Sequence, residues 1–330
     1  MSGVQTIRVE PSEDGSRLDR WFKRRFPHVS AIMVQKLCRK GQIRVDGGRV
    51  KGDSRVTAGQ EIRVPPLPEP SERKPKPRLS DEDIDYVRSL VIYEDAELIA
   101  FNKPAGLAVQ GGSKTTRHLD GLLDAFGEGL ERPRLVHRLD KDTSGVVIVG
   151  KGPKATAKLA KAFQSHKTKK TYWAIALGVP KPKMGEIKGF MKKAAGAGAD
   201  SERETMVAAR HGDEGASHAL TRYVVVTEAG QKASWVALRP VTGRTHQLRV
   251  HLAAMGHAIL GDRKYTCDRE APEDLDRRLC LHARRLEIPR DGKKPLVLTA
   301  DLPRQTQKIF DTLGFFANEI DEAAVEEDLA

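Results

Sequence analysis

The densest chemistry in the chain lies between Leu135 and Lys151, which reads LVHRLDKDTSGVVIVGK. From His137 to Gly145 it offers imidazole, guanidinium, carboxylate, ammonium and hydroxyl groups in one unbroken run. A carboxylate beside an arginine stays ionised in a partly dry site, as nucleophilic or base chemistry requires. Val146 to Val149 are β-branched and too few for a helix, so they predict a buried strand. On composition alone the preceding segment is a solvated turn, but a polar loop delivered by a rigid strand is also where catalytic groups concentrate.

These groups must be positioned by a chain of 330 residues, long enough for one large core or two domains, with a globular balance of 39% hydrophobic and 31% charged residues. The net charge is +12, and because residues 309 to 330 carry seven acids and no base, the remainder stands at +19. Such a surplus favours a polyanionic partner: RNA, DNA or an anionic membrane. Met1 to Pro11 lacks an apolar stretch of signal-peptide length, and no later run approaches the roughly 18 residues of a membrane span. A cytoplasmic protein is therefore expected. Cys38, Cys267 and Cys280 are far apart and form no C-x-x-C pair, so neither a disulfide framework nor a thiolate zinc site is indicated.

Near the start, Leu18, Trp21, Phe22 and Phe26 recur at helical spacing, and Ser30 is placed to cap a second helix carrying Met33 and Leu37. Asp46-Gly47 supplies the positive φ angles of a tight hairpin turn, and Glu61–Val64 reads as a further strand. Between Arg17 and Arg63 there are thirteen Lys or Arg against four Asp or Glu, which predicts an RNA-contacting face. Pro65 to Arg78 then holds six prolines among charges, the composition of an extended spacer between domains.

Beyond the spacer, Val91–Tyr93 and Leu98–Phe101 predict a hairpin, and Pro104 and Gly106 of the string NKPAG set a turn. Strand alternation over Lys170–Gly178 sends Tyr172 and Trp173 to opposite faces, and composition alone places Tyr172 in the core. Gly185–Gly215, rich in Gly, Ala, Lys and Glu, predicts an exposed, partly mobile insertion. Thr245 is placed to cap a helix HQLRVHLAAMG whose Leu248, Leu252 and Met255 face the core, leaving Arg249 on the flank. His246, His251 and His257 are not spaced as an i, i+4 pair and no carboxylate completes a set, so no metal is expected.

Three of these segments share one resemblance. HRLDKDTSG, NKPAG with VQGGS at Val109–Ser113, and GRTHQLRVHLAAMGHAILGDRKY resemble, in that family's order, the signatures of the RluA-type pseudouridine synthases, especially the RluC-like branch. Residues 14 to 65, with the phrase IRVDGGRVK, resemble the S4 RNA-binding domain. The sequence departs at Ala258, where GHP is usual, and at Ile288-Pro289, where His-Pro often follows the LHA segment. The resemblance implies an α+β protein: an S4 domain of αL type over residues 1–65, a Pro-rich linker 66–85, a catalytic domain 86–310 and an acidic C-terminal tail 311–330. The catalytic domain is expected to be a mixed, largely antiparallel sheet carrying a central cleft.

It further implies an isomerase that converts uridine to pseudouridine in large-subunit (23S) ribosomal RNA, with that RNA or a pre-ribosomal particle as partner. No cofactor and no metal are needed, because the product has the composition and oxidation state of the substrate, and a monomer is expected. Asp140 is assigned as the catalytic carboxylate, Arg249 as its ion-pair partner and Tyr172 as the residue that stacks on the target base. Arg138, Leu139, Thr143, Arg244, His246 and Gln247 are the expected substrate contacts. Other ribosomal sites or transfer RNA are the alternative substrates within the class. A noncatalytic ribosome-associated S4 protein would have no use for the aspartate, arginine and tyrosine set. A methyltransferase would need a GxGxG loop between strand and helix, and none occurs in that context.

Overall fold

A computed structural model describes residues 3–68, 78–112, 116–129, 131–165, 167–194, 205–273 and 275–330. The chain divides into two compact units, Met1–Arg78 and Leu79–Ala330. Most of the proline-rich spacer lies outside the described residues, as does Ser113 of the VQGGS string.

The first unit contains β1 (Gln5–Arg8), α1 (Leu18–Arg25), α2 (Ala31–Arg39), β2 (Arg44–Val45), β3 (Gly48–Arg49) and β4 (Glu61–Val64), with the strands in the order β1-β4-β2-β3. Ser30 caps α2 by accepting the Met33 N–H, satisfying one of the donors a helix start leaves unpaired. Asp46 and Gly47 have φ of 48° and 76°, so the β2–β3 hairpin turns as the Asp-Gly pair predicts. Leu18, Trp21, Phe22, Val34, Leu37 and Ile62 close a core that belongs to this unit. Beside it Glu13 is buried, accepting N–H groups from Trp21 at 2.9 Å and Arg25 at 2.9 Å; the Arg25 guanidinium holds the Glu13 pKa down at about 2. The short β1, paired antiparallel to β4, carries no periodicity that sequence reasoning picked up.

The second unit opens with α3 (Asp81–Ser89), capped by Ser80, so the stretch expected as linker ends in a helix of this unit. Then come β5 (Val91–Glu94), β6 (Leu98–Lys103), α4 (Leu119–Leu122), β7 (Arg134–Leu135), β8 (Ser144–Gly150), α5 (Gly152–Gln164) and β9 (Lys169–Leu177). They are followed by β10 (Met184–Lys193), β11 (Met206–Ala209), β12 (Ser217–Ala229), β13 (Ala233–Pro240), α6 (Gln247–Ala254), β14 (Leu281–Arg290), β15 (Lys293–Thr299), α7 (Arg304–Thr312) and α8 (Glu322–Asp328). The strands form one sheet ordered β11-β10-β12-β13-β9-β14-β8-β6-β5, with β15 on β14 and β7 on β8. Among the strand pairs of the described residues only β8 and β14 run parallel, the mixed and largely antiparallel arrangement expected.

Alternation on β9 divides its side chains between two layers. Trp173 packs with Trp235 and Phe310 in the largest hydrophobic cluster, while half-buried Tyr172 lies on the other face. Two expectations need correction. Much of the Gly/Ala-rich insertion is strand: β10 and β11 extend the sheet edge through paired backbone, with residues 195–204 outside the described residues. The acidic C-terminal segment is no free tail, because α8 docks on the sheet. Glu322 pairs with Arg284 at 2.7 Å, Glu326 pairs with Arg285 at 2.9 Å and with Arg239, and Leu329 is buried. Its charges are spent on arginines that the sheet presents, a local complementarity that net charge does not reveal.

No described helix is long and apolar enough to cross a membrane. Cys38, Cys267 and Cys280 are free thiols.

Candidate active site

The loop from Val136 to Thr143 leaves β7 and enters β8 and is fixed at several points. The Thr143 N–H donates to the Asp140 carbonyl at 3.2 Å, closing a tight turn around Lys141 and Asp142. The Lys141 carbonyl accepts from the Gly106 N–H at 2.9 Å and from the Lys103 ammonium at 3.0 Å. Lys103 is fully buried, and its other N–H groups go to the carbonyls of Pro104 and Leu107, both at 2.9 Å. Burial pulls the Lys103 pKa down to about 7, opposed by Asp142 and Asp140. Three carbonyl acceptors require three donors, which only the ammonium supplies. The NKPAG turn is therefore a staple on the loop that carries Asp140, and its lysine does more of that holding than its proline and glycine.

At the end of the loop the chain passes directly onto β14. Gly145 has φ of +112°, and a β-carbon there would lie 2.2 Å from the Ala283 carbonyl oxygen. Only glycine permits this crossing. Next to it Ser144 Oγ lies 2.8 Å from His282 Nδ1, and His282 Nε2 lies 3.0 Å from the Ala300 carbonyl. A carbonyl only accepts, so Nε2 carries the proton and Ser144 donates to Nδ1. Burial lowers the His282 pKa to about 4, so the ring is neutral at neutral pH. His137 is fixed in a similar way, accepting the Ile148 N–H at Nε2 and stacking on Phe163 with centroids 4.3 Å apart; burial lowers its pKa to about 3.

The loop so held presents half-buried Asp140 between two cavities of about 590 and 530 Å³, which share Arg138, Leu139, Asp140, His246 and Arg249 in their walls. Arg138 is exposed and Leu139 is buried in the hydrophobic layer below. Tyr172 lines the second cavity, where burial and then the Asp140 charge push its phenol pKa above the usual value. Thr143 is buried, and its hydroxyl has no hydrogen-bond partner among the described residues.

From the other side comes α6. Its N-cap is His246 at φ 53°, without a side-chain cap bond; Thr245, expected to cap, lines the first cavity instead. His246 is buried, with Nδ1 at 2.7 Å from the Tyr265 hydroxyl and Nε2 at 3.9 Å from Asp140 Oδ2. The Tyr265 oxygen also accepts the Met206 N–H at 2.9 Å, which anchors the phenol that His246 meets. Burial lowers the His246 pKa, with Asp140 opposing.

Arg249 and Gln247 need correction. Arg249 is buried rather than flanking, and its guanidinium is bidentate on Asp262, Nε to Oδ2 and Nη2 to Oδ1, both 2.7 Å. It shares both cavity walls with Asp140, and the Asp140 charge helps raise its pKa, but the ion pair it makes is with Asp262. Gln247 spends its amide on its own chain. Nε2 donates to the Leu220 carbonyl and Thr221 Oγ1, and Oε1 accepts from Thr242 Oγ1 and the Arg244 N–H. Nothing remains for a substrate, so Gln247 ties α6 to β12. Arg244 is exposed, donating Nε to the His218 carbonyl at 3.0 Å.

Sequence reasoning missed Lys103, Asp262 and Tyr265. All three lie within the strings that carried the resemblance, but their roles depend on carbonyls and side chains distant in the chain. Among the described residues no group of three or more His, Cys, Asp or Glu is arranged to hold a metal ion.

A carboxylate, a tyrosine and an arginine from three distant elements line one cavity on a largely antiparallel sheet. Residues 97–254 match the RNA pseudouridylate synthase family and residues 16–62 the S4 domain. The chain belongs to this family. It is 32% identical over 305 residues to the protein named Ribosomal large subunit pseudouridine synthase C of Rickettsia bellii, covering 89% of this chain and 97% of that one. The protein of the same name from Vibrio vulnificus is 31% identical over 316 residues, covering 94% and 96%. Among solved structures it is similar to Human RNA Pseudouridylate Synthase Domain Containing 4, with a TM-score of 0.58 and 28% identity over 71% of this chain and 97% of that one.

Proposed function

We propose that this enzyme isomerises specific uridines of large-subunit (23S) ribosomal RNA, with Asp140 as the catalytic carboxylate. The relatives spanned over nearly their whole length are named ribosomal large subunit pseudouridine synthases. The observation that carries the site assignment is the position of Asp140, in the wall shared by the two cavities and facing Tyr172, His246 and Arg249.

In the reaction the N1–C1′ bond breaks, the detached uracil turns in place and C5 bonds to C1′; C5 then loses its proton and N1 gains one. Atoms and charge balance without a co-reactant. The uridine first leaves its stack, at a cost of a few kcal/mol. Arg138, on the exposed lip, fills the vacated place in the RNA while Tyr172 stacks on the base. Asp140 acts at the sugar, and the Arg249 guanidinium keeps a positive charge in the same cavity walls. The walls retain the free uracil between bond breaking and bond making.

In a folded Asp140→Asn enzyme, tritium release from uridine-5-tritiated 23S transcript should vanish while RNA binding persists. Turnover near the wild-type level would falsify the assignment. Mapping carbodiimide-dependent reverse-transcription stops in a strain lacking the gene identifies the uridines, and loss of stops only outside the large-subunit RNA would sink the substrate.

A further inference from the structure

One cation in the second cavity is left without a counter-charge among the described residues. Lys170 stands two residues before Tyr172 on β9, so both side chains leave the same face of the strand, about 7 Å apart. Both line the second cavity. Neighbouring Lys169 points the other way and pairs with Glu287 at 3.3 Å. Lys170 is half-buried, and among the described residues none accepts a hydrogen bond from its ammonium or pairs with it. Against it lies Gly243, where a β-carbon would stand 3.9 Å from Nζ, and the next residue, exposed Arg244, lines the same cavity. Arg244 commits Nε to the His218 carbonyl, and its two terminal nitrogens have no partner among the described residues.

Leaving an ammonium partly desolvated and unpaired is costly, and burial lowers the Lys170 pKa accordingly. Two roles would justify it: proton transfer at the reacting base, or binding of an anion. Geometry favours the second, because Gly243 lies against the ammonium and the neighbouring Arg244 brings a second cation to the same wall.

We propose that Lys170 and Arg244 form a phosphate subsite that holds an RNA phosphodiester next to the uridine whose base stacks on Tyr172. Two cations around a glycine leave room for a tetrahedral anion, on the same strand face as Tyr172 and in the same cavity wall. The inference rests on the placement of the uridine over Asp140 and Tyr172. Its role is to draw the backbone in so that the flipped sugar reaches Asp140.

The test uses full-length enzyme and unmodified 23S transcript, with affinity measured across a salt series and turnover measured under single-turnover conditions. Removing one cation that neutralises a phosphate should reduce the slope of log affinity against log salt by about 0.7 to 0.9. Lys170→Met should show that reduction with affinity about 3- to 10-fold weaker at low salt, and saturating RNA should restore most of the rate. Arg244→Met should act in the same sense, and Lys170→Arg should retain the slope. An unchanged slope and affinity in both Met variants would overturn the subsite. A collapse of the saturated rate in Lys170→Met with affinity intact would also overturn it, placing the ammonium in the chemistry. Should Asp140→Asn stay active, the assignment of Asp140 fails, whereas the salt slopes still report on the phosphate subsite.

Discussion

Arg249 is clamped by Asp262 through two hydrogen bonds of 2.7 Å, and the Asp262 side chain has no solvent exposure at all. Asp262 Oδ1 also accepts the N–H groups of Lys264 and Tyr265, so this carboxylate organises the loop after α6 as well as the arginine. The charge that shares its cavity walls with Asp140 is thus held from behind, and the Asp140 carboxylate is not part of that ion pair. Removing one partner of a buried pair leaves the other charge uncompensated, at about 3–5 kcal/mol. Asp262→Asn is expected to lower stability by that order in urea denaturation and to reduce turnover together with it. Arg249→Met should reduce the single-turnover rate by about 100-fold or more, as loss of a positioned charge does. Equal activity at neutral pH would remove Arg249 from the site.

Gly145 gives a backbone prediction at the same site. Gly145→Ala forces a β-carbon into the Ala283 backbone at a φ that L residues rarely adopt. The expected cost is about 3 kcal/mol or more, with displacement of the Asp140 loop and loss of activity. A variant with wild-type melting temperature and rate would mean that β8 and β14 separate readily there.

The first unit should show a defined acid sensitivity. Glu13 has a pKa of about 2 in the fold, against 4.5 for the free side chain, because Arg25 and Trp21 donate to its ionised form. A depressed carboxylate contributes stability that is fully present above the free value and is lost as pH falls through the folded one. Glu13→Gln should therefore weaken hydrogen-exchange protection in α1 by about 1–3 kcal/mol near pH 7, with the difference from wild type shrinking as pH drops from about 5 to about 2. A constant difference across that range would show that the carboxylate charge is not what the fold uses.

Deleting the chain before Leu79 tests the basic head. The second unit has hydrophobic clusters of its own, and the first unit closes a separate one. The truncated enzyme is expected to fold and to retain Asp140 chemistry, with a higher RNA concentration for half-maximal rate and a shallower salt dependence. Equally tight binding with the same slope would show that the thirteen cations between Arg17 and Arg63 do not contact the RNA.

What the sequence determined alone was local. The Asp46-Gly47 turn, the Ser30 cap, the β-branched run at Val146–Val149 and the alternation at Tyr172 and Trp173 are each fixed by intrinsic backbone preference or by the period of a strand, and the structure shows them as read. The candidate carboxylate was legible through the resemblance of HRLDKDTSG to a family signature, since composition alone made that segment a solvated turn. Tertiary structure decided where those charges are spent. Arg249 pairs with Asp262, Gln247 serves β12, Lys103 staples Lys141, and the acids of α8 settle on arginines of β13 and β14. Hydrogen bonds and ion pairs are decided by which groups meet at about 3 Å, and between residues far apart in the chain only the sheet order sets those meetings.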